Sequence, residues 1–520
     1  MIKMHVVPIF VGAVAFAMAL ACSSSDPSPP TGDASKASKG RILVSSETGS
    51  EIAVLDLEQG VLESNKMNVS KGPEFVVSPE GQYAMVVQAS GNRVNFIKMG
   101  TSVAPSSSDG DAAADPHAGH NHKSRSSGDH GHDHGASESS DESESTSDSG
   151  SSVEMMEIAI TGKNLTHVVA RGQWIAMQFD DKVVVLAEDD LENKIDSINE
   201  SIFYEIPGSL PGVPIDEEHI AIGNKVFEIA DGANLHWGIN ASANALMSSN
   251  ILSATRSGEG TVLFGTDQGL LVVGKHTETV EVEWVDLMVP YPTLTDEQIF
   301  IVEDDHGHGE DDEDHGHGEG EHEEVEEHRA ATEWATMDGL GHAFVHLTHE
   351  SHSAGVYLVE AEGLESDGDL SAVFEYLSET SGPNVRLVAM SLVKLHEEHE
   401  GEEEEEDGED HQDTVYLLLL MSDGSLRIHN AVEEGAYITK IDNVIAPMTD
   451  FHEGENSYPG MTVGFGKVFI GDPASNEVHQ IDLKSFGLEQ TWSLGTKPNR
   501  LQLMGESTLS EGSSHSHSHD

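Results

Sequence analysis

RILVSSETGSEIAVLDLEQG, residues 41–60, and KVFIGDPASNEVHQIDLKSFG, residues 467–487, share one layout near opposite ends of the chain. Each has a basic residue, an apolar strand, a Gly/Ser/Asn turn, and then Ala/Val-x-x-Leu/Ile-Asp-Leu. Short apolar runs bounded by turn residues read as strands joined in hairpins. Similar units lie between them, among them AMQFDDKVVVLAEDD, TVLFGTDQGLLVVGKHTETVEVEWV, GVYLVEAEG and TVYLLLLMSDGSLRIHN, with hardly a helical period anywhere. Units of a few strands repeating every ~40–50 residues predict an all-β fold, a β-propeller. A matching unit at each end suits closure of a ring by first and last units; the competing architecture is a β-sandwich or two stacked β domains.

The starts of the innermost strands are sought in GPEFVVSPEGQYAMVV, NLTHVVARGQWIAMQF, EEHIAIGNKVFEI, NLHWGINAS, TEWATMDGLGHAFVHL, PNVRLVAMS, TDFHEGENSYPGMTV and PNRLQLMGE. His219 and His236 stand close together for two separate blades, so the expectation is seven or eight blades, over residues 41–506.

The chain of 520 residues carries 93 acids against 26 bases, a formal charge of −67, and the charge is clustered. Such an excess of acid argues against nucleic acid, whose phosphates need Lys and Arg, and makes cations the natural partners. Lys3 followed by an apolar stretch from Val6 to Ala21 reads as an export signal over 1–22. Ala19-Leu20-Ala21-Cys22 resembles a lipobox, with Cys22 as the lipidated residue and SSSDPSPPTGDASKASKG (23–40) as a tether. The alternative is conventional cleavage near Ala21. The expected location is outside the cytoplasm, on a bacterial membrane facing the periplasm or the cell surface. Cys22 is the one cysteine, so a metal site must use nitrogen and oxygen ligands.

Of 30 histidines, 18 fall in polar segments poor in aromatics. These are insertions at about 104–152, 303–329 and 396–413 and a tail over 507–520, whose composition predicts disorder. HAGHNH and HGHDHG supply His117, His120, His122, His130, His132 and His134. DDHGHGEDDEDHGHGEGEHEEVEEH (304–328) supplies His306, His308, His315, His317 and His322. Imidazoles two or three residues apart on a flexible chain can close around an ion, but ordering that chain costs entropy. Weak, high-capacity metal loading is the expectation.

Among the other histidines, His167, His219 and His236 each stand at a candidate innermost-strand start. Any one alone is simply a polar residue at a strand end. Three at successive starts of a ring would converge on one axis and, with Glu74 or Asp450, form a tetrahedral site suited to Zn2+, with Cu2+ or Ni2+ not excluded. GHAFVHLTHESH places His342 and His346 on one side of a strand, either a second, weaker site or a polar strand edge. Imidazole must be neutral to ligate, so affinity is expected to fall below about pH 6.5. The sequence has no Gly-x-Ser-x-Gly elbow, His-Glu-x-x-His pair or dinucleotide fingerprint. The expectation is therefore a protein that is not an enzyme. A propeller lactonase or hydrolase is the alternative, as is a metal buffer without a dedicated partner.

LTHVVARGQWIAMQFDDKVVVL, EEHIAIGNKV, NLH and the later TVLFGTDQGLLVV, in an exported chain with His/Asp-rich segments, resemble the AztD-type periplasmic zinc metallochaperones. That resemblance implies a propeller whose matching histidines are His167, His219 and His236. It also implies direct transfer of Zn2+ to the solute-binding protein of a zinc ABC importer. The lipobox, the extra His/acid insertions and the long connection after NLHWGINAS depart from the family pattern.

Overall fold

The computed structural model describes residues 40–99, 153–193, 203–236, 251–294, 331–360, 374–395, 414–448 and 458–505, a few short gaps apart, with a two-residue strand at Ala19–Leu20. The fold is an eight-bladed β-propeller, each blade an antiparallel four-stranded meander. Blade 1 is closed by the two ends of this region. Its innermost strand is Arg500–Met504, followed outward by Arg41–Ser45, Glu51–Asp56 and Val61–Asn68. The register Arg41↔Met504 to Ser45↔Arg500 fastens the ring. The two repeats read from the sequence are the second and third strands of blades 1 and 8.

The remaining innermost strands are Glu74–Val77, His167–Arg171, Gly212–Pro214, Ile251–Arg256, Ala331–Met337, Leu387–Leu395 and Met461–Gly464, in blades 2 to 8. Each packs against the next around the axis. Ala19–Leu20 lies parallel beside that of blade 7, at Val393 and Lys394. Among the described residues one helix, Glu188–Asn193, follows the third strand of blade 3. Among the described residues no helix is long and apolar enough to cross a membrane.

Side chains of a strand alternate between sheet faces, and here both faces are buried because every blade has a neighbour on each side. Ile42 and Val44 enter a cluster with Phe469 and Trp492 of blade 8, whereas Leu43 between them packs with Phe75 of blade 2. Near-continuous apolar runs such as Val262–Thr266, buried throughout, follow from that double burial. Each fully buried aliphatic side chain contributes about 1.5–3 kcal/mol. The outermost strands face water and are polar: Gly487–Ser493 exposes most of its length.

The blade count falls within the expectation, but two innermost strands are not where the sequence placed them. EEHIAI belongs to the second strand of blade 4, His219–Ile222, and NLH to its outermost strand, Asn234–His236. Gly212–Pro214 and Ile251–Arg256 hold the inner positions instead. The first is three residues long and ends in proline, which gives little strand signal. The second, ILSATR, is too polar in its latter half to stand out. The proposed export signal apart from Ala19–Leu20, Cys22, the tether apart from Gly40, the His-rich segments and the tail all lie outside the described residues.

Candidate metal centre

Arg500, Glu74 and His167 begin the innermost strands of blades 1, 2 and 3. Innermost strands of a propeller run parallel about the axis, so these three consecutive starts share one end of the ring.

His167 pairs in register with Gln178, the last residue of the second strand, whose side-chain amide donates to Gly208 O at 3.1 Å. The His167 Nδ1 is buried without a hydrogen-bond partner. Burial depresses its pKa to about 4, because desolvation penalises the charged ring. The imidazole is therefore neutral, with lone-pair character available, well below the pH 6.5 expected of an ordinary histidine. Glu74 is also largely buried, and burial pushes its carboxyl above the usual range; Arg500 opposes that shift and Glu47 adds to it. Arg500 Nη2 lies 3.9 Å from Glu74 Oε1.

His219 stands elsewhere. It follows the turn after Gly212–Pro214 and pairs with Glu228, which puts it at the opposite end of the ring from His167. The Trp174 indole of blade 3, also at that opposite end, donates to Glu217 O at 2.9 Å. The His219 Nδ1 lies 2.7 and 2.9 Å from the two Asp216 oxygens. Asp216 Oδ1 also accepts the backbone N–H groups of Glu218 and His219, both at 2.8 Å. A carboxylate on one ring nitrogen is the usual support of a ligating histidine. His236 pairs with Val226 on the outermost strand, and its side chain is outside the described set. The three histidines therefore do not occupy equivalent positions, since only His167 is on an innermost strand. Asp450 lies outside the described residues. Among the described residues no group of three or more His, Cys, Asp or Glu side chains is placed to hold a metal ion.

His342 and His346 lie on the second strand of blade 6, His342–His349. His346 is 1% exposed, and its Nε2 meets Ser353 Oγ at 2.8 Å. This histidine is a core residue rather than part of an exposed edge. The side chain of His342 is outside the described set.

Sequence reasoning missed Arg500 and Asp216. Arg500 carries no signal until strand closure sets it beside Glu74, whereas Asp-x-x-His before a strand was a readable one.

The fold and this ring end define a propeller with a carboxylate, a guanidinium and a neutral imidazole at the mouth of its axis. It is similar in structure to Citrobacter koseri AztD, with a TM-score of 0.53 over 89% of this chain and 97% of that one, at 15% identity. The apo form of the same protein gives 0.52 over 89% and 98%, at 14% identity. The likeness is one of fold. No family model matches the sequence, and no curated protein matches it.

Proposed function

We propose that this chain is an exported zinc-binding protein that takes up Zn2+ and passes it to another protein, such as the solute-binding component of a zinc ABC importer, without catalysing a covalent reaction. The observation that carries the reading is the buried, unpartnered Nδ1 of His167 on an innermost strand, one blade from Glu74. Imidazole nitrogen and carboxylate oxygen suit zinc and leave Cu2+ and Ni2+ as competitors. His167, Glu74 and Asp450 are assigned to the cargo, with His219 and His236 as separate contacts at other places on the propeller. The likeness of fold to AztD and the resemblance of its sequence motifs support the same class of cargo. The 18 histidines of the acidic segments are assigned to weak loading, and release proceeds by ligand exchange with the partner. Cys22, as lipid anchor, keeps the protein at a membrane surface facing the periplasm or the exterior.

A zinc titration tests this, using the full chain, a form lacking 104–152, 303–329, 396–413 and 513–520, and His167→Ala. The reading expects one tight site that survives the deletions and is lost with His167. If the shortened form binds no zinc tightly, the propeller site is wrong and a capacity buffer built from the acidic segments takes its place.

A further inference from the structure

We propose that Arg500 sets how firmly the propeller mouth holds its cation. Its guanidinium stands in for the metal charge beside Glu74 in the unloaded protein and opposes the metal when it arrives. The proposal rests on the preceding reading of Glu74 as a cargo ligand.

The ion pair is loose by construction. At 3.9 Å between Arg500 Nη2 and Glu74 Oε1, the two groups attract as charges but lack the short, paired contacts of a bidentate fork. The Glu74 side chain is 18% exposed and that of Arg500 is 36% exposed, so the guanidinium can turn toward water while its stem stays in place.

The backbone beneath Arg500 is fixed. Arg500 is the first residue of the strand that closes the ring and pairs with Ser45. Asn499 before it is 1% exposed, donates through its side chain to Tyr458 O at 2.9 Å, and accepts Glu47 N–H at 3.3 Å. Glu47, in the turn after Arg41–Ser45, is near enough to act electrostatically on Glu74.

Two positive charges a few ångströms apart in a half-buried site repel far more than in water. A cation held by Glu74 therefore feels Arg500 directly, and binding is weaker than the ligands alone would give. For a protein that must hand its cargo on, weaker binding means faster release.

The test uses the full chain, Zn2+ and a chromophoric chelator that competes for the first equivalent of metal, on Arg500→Gln, Arg500→Lys, Glu74→Gln and the Glu74→Gln/Arg500→Gln double variant. Arg500→Gln is expected to tighten first-equivalent binding by about tenfold or more and to slow release to the chelator, with Arg500→Lys near the parent. In the Glu74→Gln background the Arg500→Gln gain should be smaller, since the ligand facing the arginine is gone. Unchanged or weaker binding in Arg500→Gln, with Glu74→Gln still weakening it, overturns the role of Arg500 and leaves Glu74 as a ligand. If Glu74→Gln itself changes nothing, the ligand reading fails and this proposal with it. Should Arg500→Gln not fold, Arg500→Met keeps the length and removes the charge, and the same outcomes apply.

Discussion

Glu188 of blade 3 accepts the hydroxyl hydrogen of Ser78 in blade 2, and both side chains are buried. The same carboxylate accepts Glu80 N–H at 2.7 Å, while Ser78 Oγ accepts Tyr83 N–H at 3.0 Å. The helix Glu188–Asn193 thus fastens its blade to the first turn of the preceding one.

Burial pushes the Glu188 carboxyl up to about 7, against the opposing hydrogen bonds from Ser78 and Glu80. A carboxyl whose folded pKa is raised keeps its proton where the unfolded chain has lost it, so its contribution is full below about 4.5 and falls as pH rises to about 7. The full difference is roughly 3 kcal/mol. Thermal unfolding from pH 4.5 to 8 should show parent stability falling relative to Glu188→Gln across that window. A constant offset between the two curves would mean that Glu188 does not titrate there.

His429, in the third strand of blade 7, works in the opposite sense. Its Nδ1–H donates to Gly435 O at 2.8 Å, its Nε2 is buried without a partner, and Tyr437 packs edge-on at 5.4 Å. Burial is the main cause that holds its pKa below 6.5. The unfolded chain then takes up a proton that the folded one resists, so stability present above pH 6.5 is lost as pH falls below it. His429→Gln, which keeps a donor but cannot ionise, should lose less stability than the parent between pH 6.5 and 5 in chemical denaturation.

The Arg41–Asp56 pair lies inside blade 1 at 3.4 Å, with side chains 1% and 4% exposed. Removing either partner strands a buried charge, so Arg41→Met or Asp56→Leu alone should cost about 3–5 kcal/mol. The double variant should cost much less than the sum. Denaturant midpoints in a double-mutant cycle measure the coupling, and additive losses would show that the two charges do not depend on each other.

Gly424 has φ +85°, and an added Cβ would stand 2.4 Å from Ile445 O. Its own carbonyl accepts the Val444 and Ile445 N–H groups at 2.8 and 3.3 Å, so the segment cannot back away freely. Gly424→Ala is expected to destabilise by about 1–3 kcal/mol or more, seen as a lowered denaturation midpoint. Gly495, which meets nothing within 4 Å, is the control and should tolerate alanine.

The propeller was readable because hairpin chemistry is local. Strand, turn and Asp-Leu pairing in 41–60 and 467–487 need no partner to be recognised, and both became second and third strands of adjacent blades. Gly212–Pro214 was hidden because a three-residue inner strand is held by its neighbours rather than by its own propensity. His219 and His236 looked equivalent to His167 for the same reason. HIAI and NLH resemble strand starts locally, and only pairing assigns a strand to the axis or the rim.

By itself the sequence determined the all-β repeat, the closure of the ring by its two ends, the absence of thiolate ligands beyond Cys22, and the acid and histidine content that makes cations the natural partner. These follow from local pattern and composition. Tertiary structure alone decided that Arg500 stands beside Glu74 at the end of the axis that His167 shares, that His219 belongs to the other end with Asp216, and that His346 is a core residue. Each of those facts depends on which strand lies beside which, and on burial, which no local run of residues encodes.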